Sequence, residues 1–521
     1  MEHERKPSSR LVGHTLKVNI GSEPLSLDPA LANDITSANL IGAITDPLIA
    51  LGPGFEPLPA LAEGWTWSDD GLTVTIHIRK DGRWSNGLPV TAHDLEWSWK
   101  RVVDPTTRSP AADRFSGIAG VPASSVTAGD TGQFARHAVD TGIKARNEHQ
   151  LEVTLTAPDP DFVQNLAHHS FAAVHRPAVE RHGSRWTEPA HIVTNGPFLL
   201  DAWHHGESMT LKKNPGWRMS DSVALDAIEA VMISQATEAL RAFRAGQIEA
   251  CLDGVSCIPV AEADRLRLSA DYDRFPALGT EFVAANTTNI PDAHQRRALA
   301  LALDRKWIVD NVTKAGELPA TGLIPPAMPG FAEIHSPFLA QDADVPGARA
   351  ELALARHIRN PVTLYSNNDE TAKGVVRAIR DMWARIGIQA VTHSLGLAEF
   401  LGLVRPPADP SVDTFFTGWI ADRVDAGDFY ELARSGSPLN KSGFHNERTD
   451  RLITTARRSR SQPECHRLYS ELDDLLTGAE GLFPYIPLFW LTYPVLRKPY
   501  VTGWAPNPLG QFDWKSVRID R

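Results

Sequence analysis

Side chains able to do covalent chemistry are scattered, not grouped, along this chain of 521 residues. There is no Gly-x-Ser-x-Gly elbow, no phosphate-cradling Gly-rich loop with its lysine, no Gly-x-Gly-x-x-Gly turn after a strand and no His-Glu-x-x-His pair. The Cys-x-x-Cys spacing that zinc favours is also absent. His168-His169 and His204-His205, with His175 near the first pair, are the best metal candidates. Adjacent residues on one element point in different directions, so such a pair chelates poorly and solvated surface histidines are the simpler reading. No catalytic residue, metal or cofactor is expected. Three cysteines are too few for a disulfide framework. Cys251 and Cys257 are close enough to bridge in an oxidising compartment, and two small buried apolar side chains are the other reading. Cys465 lies in a polar helix.

The remaining chemistry is recognition, and composition narrows the partner. A net charge of −11 argues against nucleic acid or an anionic membrane as the main partner. Apolar content of 42% and charged content of 22% describe an ordinary globular protein, too long for a single hydrophobic core. No apolar run approaches the roughly 18 residues that span a bilayer. The polar start MetGluHisGluArgLys carries no signal-peptide core, so a leader removed before this chain begins is expected.

Strand and helix patterns mix throughout, which predicts an α/β or α+β protein. Residues 16–20, 72–78 and 151–155 alternate with period two and read as strands. Residues 293–312 read as one amphipathic helix, with Ala298, Leu301, Ala302, Trp307 and Ile308 inward and Arg296, Arg305 and Lys306 outward. A second helix runs through Val375 to Ile386 and stops at Gly387. Residues 484–496 form a strongly apolar strand region.

The densest local signal is residues 60–105. Asp69-Asp70-Gly71 makes a turn, and Leu72, Val74, Ile76 and Ile78 alternate with polar residues. Thr91, followed three residues later by Asp94, caps a helix that buries Leu95, Trp97 and Trp99. This block, with SerLeuAspProAla (26–30), ThrAsnGlyProPhe (194–198), LysAsnProGlyTrp (213–217), AlaGlyGlnIleGlu (245–249), residues 296–305, IleProPro (324–326) and GlyTrpIleAlaAsp (418–422), resembles the oligopeptide-binding proteins of ABC transporters, family 5 of the solute-binding proteins. The resemblance runs from Leu16 to Arg521. It implies a periplasmic-binding-protein-like two-lobe α/β fold of class II type with an extra inserted domain. Domain I would comprise residues 1–45, 171–279 and 488–521, domain II residues 46–170, and domain III residues 280–487, with a hinge close to Gly279 and Leu488.

The resemblance also supplies a site. A binder indifferent to side chains pairs with the peptide main chain as an added strand and fixes the ends by charge. Asp422 matches the aspartate that holds the ligand's ammonium. Gly418, Trp419 and Ile420 would supply main-chain pairing and a pocket wall. Asn33, Asp34 and Ile35 match the segment bonding the ligand's other edge, and Phe282 an aromatic beside it. Several positions depart from the enteric relatives. Ala111 stands where an aromatic often lines a pocket, and Phe416 replaces an arginine that can hold a ligand carboxylate. Arg405 and Lys314 lie near family cations and are weak carboxylate candidates. Gly279 and Ile420 take the places of two cysteines that tie domain III.

The expected function is that of an extracytoplasmic, monomeric solute-binding protein. It would enclose a short peptide or amino-acid-like ligand by hinge closure, deliver it to a membrane permease and perform no chemistry. The Ala-, Arg- and Pro-rich composition suggests an actinomycete, in which some relatives serve antibiotic or clavulanic acid biosynthesis. The alternatives are a non-peptide ligand (nickel complex, haem, sugar or opine) or an amide hydrolase on the same scaffold.

Overall fold

The computed structural model describes residues 14–52, 55–121, 141–159, 161–252, 257–329, 331, 333, 335–405, 409–421, 423–459 and 461–521. The chain divides into two compact units. The first comprises residues 1–273, 495–506 and 510–521, and the second residues 274–494 and 507–509.

The first unit carries strands β1 (Thr15–Asn19), β2 (Ile49–Leu51), β3 (Pro57–Pro59), β4 (Ala62–Trp67), β5 (Thr73–Ile78), β6 (Ile143–Asn147), β7 (Gln150–Thr154), β8 (Phe198–His204), β9 (Ser208–Lys213), β10 (Ala227–Val231) and β11 (Ala250–Cys251). One sheet has the order β11-β1-β10-β9-β8, with β1 parallel to both of its neighbours. An antiparallel sheet, β4-β5-β7-β6, lies wholly in the segment proposed as domain II. The period-two pattern explains its core: Val74 and Ile76 face Val153 and Leu151 across the ladder, and all four are buried. The helix Ala92–Val103 covers this core behind a complete capping box, in which Thr91 and Asp94 bond each other's main chain. Trp99 is fully buried and its indole N–H donates to Phe171 O, whereas Trp97 is half-buried beneath Arg101 and Arg176. Cys251 and Cys257 form a disulfide, which decides between the two readings left open above.

The second unit is built on a six-stranded sheet. Its strands are β12 (Tyr272–Ala285, whose first two residues belong to the first unit), β13 (Leu318–Pro319), β14 (Val362–Asn367), β15 (Ala390–Leu395), β16 (Thr414–Ile420) and β17 (Tyr485–Leu496, whose last two residues belong to the first unit), in the order β13-β17-β12-β16-β14-β15. The helix Glu370–Ala384 packs its Val375, Val376, Ile379, Met382 and Trp383 stripe into the core beside Val283, Phe416 and Phe489.

Two expectations need correction here. The single helix over 293–312 is broken. A first helix, Ala293–Leu301, gives way to a short one, Arg305–Ile308, capped by Asp304, and then to a wider turn at Val309–Thr313. Ala298, Leu301, Ala302 and Ile308 are buried and Lys306 is exposed, as expected, but Trp307 is 46% exposed while Arg296 and Arg305 are buried, Arg305 at only 1% exposure. Arg305 turns inward because its guanidinium meets carbonyls left over by the chain ends around it. It donates to Pro487 O, Ala300 O, Leu303 O and Ala340 O. Burial pushes its pKa down to about 9. His168 and His169 are also not surface residues. Both are half-buried, their rings lie 4.0 Å apart, and desolvation drives the His169 pKa down to about 4.

Candidate ligand-binding site

Strand β16 carries most of the expected site, and its neighbours explain why it is available. Its antiparallel ladder with β12 is complete, from Ala285↔Thr414 to Gly279↔Ile420. Its parallel ladder with β14 covers only Thr414 and Phe415. Beyond Phe415 the strand therefore has one paired edge and one open edge. Ala421 N donates to Leu278 O, so alternation along the ladder turns the main-chain groups of Trp419 toward β12. Those of Gly418 and Ile420 face the open edge. Exposure follows the same gradient: Phe415 and Phe416 are buried, Trp419 is half-buried and Ile420 is 56% exposed. Buried, unpaired main-chain groups are costly, so a built strand edge left free in this way suits an added strand.

The loop after β16 is tightly held. Trp419 Nε1 donates to Asp428 Oδ2 at 3.0 Å, and Asp428 is buried. Asp425 Oδ1 accepts from Gly427 N and from the Tyr469 hydroxyl. These acids are structural anchors of the loop. Asp422, the expected ammonium partner, lies outside the described residues.

Other expected residues sit as follows. Phe282 is 2% exposed on β12 and packs edge-on against Tyr485, and Phe416 joins the core beside Phe489. Gly279 and Ile420 face each other directly, so the two positions held by cysteines in the resembled relatives are cross-strand neighbours here. Lys314 is half-buried in a left-handed turn, and Arg405 is exposed at the end of the helix Leu397–Leu403. Four expected residues belong to the first unit. Asn33 and Ile35 are exposed, while Asp34 caps the helix Ile35–Ile44 and its carboxylate accepts from Ser37 N and the Ser37 hydroxyl. In the main chain, Asp34 O accepts from Ala38 N and Ile35 O from Asn39 Nδ2. Ala111 is buried in the first unit's core.

One residue escaped the sequence reading. Glu281 sits opposite Gly418 on β12, and a Cβ on Gly418 would lie 2.4 Å from its Oε1. The carboxyl therefore occupies the space over the glycine. Burial, then the charges of Asp369 and Glu317, push it up to about 7. The signal was present: Glu281 is the lone acid within residues 277–285, AlaLeuGlyThrGluPheValAlaAla. A separate pocket of about 720 Å³ opens at the other end of this sheet, between Asn286, Leu395, Glu399 and Asp409. It is remote in the register from Gly418–Ile420.

The comparisons agree with this architecture. Residues 56–441 match the model of the bacterial extracellular solute-binding proteins, family 5. The chain belongs to that family. The oligopeptide-binding protein OppA of Bacillus subtilis is 30% identical over 92% of this chain and 88% of its own length. The periplasmic oligopeptide-binding protein OppA of Salmonella typhimurium is 28% identical over 97% and 92%. The unliganded open form of MppA, the Escherichia coli murein tripeptide-binding protein, superposes with a TM-score of 0.83 at 26% identity, covering 98% of both chains. As in other family 5 proteins, the two-lobe α/β class expected from the sequence is the observed one. No helix among the described residues is long and apolar enough to cross a membrane.

Proposed function

We propose that this family 5 protein captures a short peptide, or an amino-acid-like molecule with a free ammonium, as an extra strand on the open edge of β16. The observation that carries this reading is the early end of the β14 ladder at Phe415, which leaves Gly418 and Ile420 to pair with a guest. Main-chain pairing is indifferent to side chains, and each hydrogen bond contributes about 0.5–1.5 kcal/mol net. Four to six of them with one ion pair reach roughly micromolar affinity. Asp422, just beyond the strand, is the proposed partner of the ammonium, and Asn33–Ile35 the proposed main-chain partner from the first unit. Phe282, Phe416 and Ala111 would shape pockets, and Arg405 or Lys314 would meet the carboxylate.

The protein binds and releases without turnover, as a monomer handing its ligand to an ABC permease outside the cytoplasmic membrane. The Cys251–Cys257 bridge supports an oxidising compartment. A role in antibiotic biosynthesis is the finer proposal. Gene disruption that spares growth on peptides but abolishes a secreted antibiotic supports it, and unchanged production removes it.

Isothermal titration with matched peptides, free and N-acetylated, tests the main reading. Acetylation should remove most of the affinity, and Asp422→Asn should do the same without moving the melting temperature of the empty protein. Equal binding of both peptide forms would take Asp422 out of its role, and hydrolysis of the peptide would point to an enzyme.

A further inference from the structure

A row of positions runs across the second unit's sheet: Glu281 on β12, Gly418 on β16, and then the open edge. Side chains opposite one another on neighbouring strands stand on the same face, roughly 5 Å apart. Gly418 contributes none, and the Glu281 carboxyl fills the space above it, with Oε1 2.4 Å from where a Cβ would be. That carboxyl lies over β16, on the face from which the side chain of a residue paired with Gly418 from the open side would project.

Glu281 is an unusual acid to leave there. The residue is half-buried, and desolvation is the first cause that raises its carboxyl. Among the described residues it makes no hydrogen bond or ion pair. Its acidic neighbours are otherwise engaged. Glu317 Oε2 accepts from the Thr313 hydroxyl and Ala315 N, and Asp369 caps the helix Glu370–Ala384 through Ala372 N. Both raise the negative potential around Glu281 instead of relieving it. Phe416, two residues along the same face, is apolar and buried. A partly desolvated carboxylate without a counter-ion is costly, and a cation brought by the ligand would supply the missing partner.

We propose that Glu281, lying over Gly418 and facing the open edge, selects ligands whose residue paired with Gly418 carries a basic side chain of the lysine, arginine or ornithine class. This rests on the peptide reading above and names its ligand class. The added interaction is a charge-assisted hydrogen bond in a desolvated site, which is shorter and stronger than a neutral one.

The test is isothermal titration with trialanine and with its three single-lysine variants, each beside the same peptide bearing Nε-acetyl-lysine. At one position the lysine peptide should bind at least about tenfold tighter than its acetylated twin, because only the first brings a cation to the carboxylate. Glu281→Gln should bring that ratio near one, and Glu281→Asp should keep part of it. The wild-type ratio decides the matter even if Glu281→Gln folds poorly. If trialanine binds and no lysine position outperforms its acetylated twin, the inference falls while the peptide reading stands. If no peptide of any kind binds, both fall.

Discussion

Replacing Glu281 by glutamine should alter stability in a way that depends on pH. The native carboxyl titrates near 7 against its usual 4.5, burial being the main cause and Asp369 and Glu317 adding to it. The sign follows from proton linkage. Below about 4.5 the group is neutral in both folded and unfolded chains and costs nothing. As pH rises, the unfolded chain ionises first, and folding must hold the proton or bury the charge. The wild-type protein therefore loses stability progressively from about 4.5 up to about 7, by at most about 3 kcal/mol. Residual exposure of Glu281 lets water screen the charge, which brings the expected loss to about 1–3 kcal/mol. Glutamine has no such loss, although its amide, with few partners, costs about 1–3 kcal/mol at every pH. Scanning calorimetry of both proteins at pH 5 and at pH 8.5 separates the two effects, since only the first changes with pH. One kcal/mol moves the midpoint of a domain of 150–250 residues by about 2–4 °C, so the gap should shift in the variant's favour by about 2–12 °C between the two conditions. A gap that stays constant, or moves the other way, would refute the claim that this carboxyl is buried without a partner.

Gly418→Ala places a methyl 2.4 Å from the Glu281 carboxyl, which must swing away toward the guest strand; peptide affinity measured by titration should drop about tenfold or more, and an unchanged affinity would separate Gly418 from the site. Gly196→Ala should destabilise far more than a surface change, by about 3 kcal/mol or more in denaturant unfolding. Its Cβ would lie 2.3 Å from main-chain atoms of Ile44 and Thr45, which cannot rotate aside. Arg305→Ala should cost about 3–5 kcal/mol in the same assay, because four carbonyl contacts lose their donor within a closed core. A loss below about 1 kcal/mol would mean that water replaces the guanidinium.

The sequence was most legible where local chemistry and burial agree. The 60–105 block shows this: alternation at Val74, Ile76 and Ile78 and the Thr91–Asp94 cap specify a strand and a helix from neighbours within a few residues. It was least legible at Arg305 and at His168 and His169. Those polar side chains are enclosed, the arginine wholly and the histidines in part, by segments distant in the chain, including Pro487 and Ala340 for the arginine and Ala32 for His169, which no periodicity reports. The strand from Phe416 to Ile420 could be placed from its motif, but its open edge could not, because that depends on where β14 diverges.

The amino-acid order alone determined the class of fold and the membership of the solute-binding family. The fold class is written in short-range alternation and capping, and the family in local blocks spread along the chain. Only the tertiary structure decided that Cys251 and Cys257 are joined, that Arg305 is interior, and that Glu281 stands over Gly418 without a partner. The physical reason is that solvation and pairing of a polar group are set by whichever distant segments close around it, and a one-dimensional sequence records the group but not its enclosure.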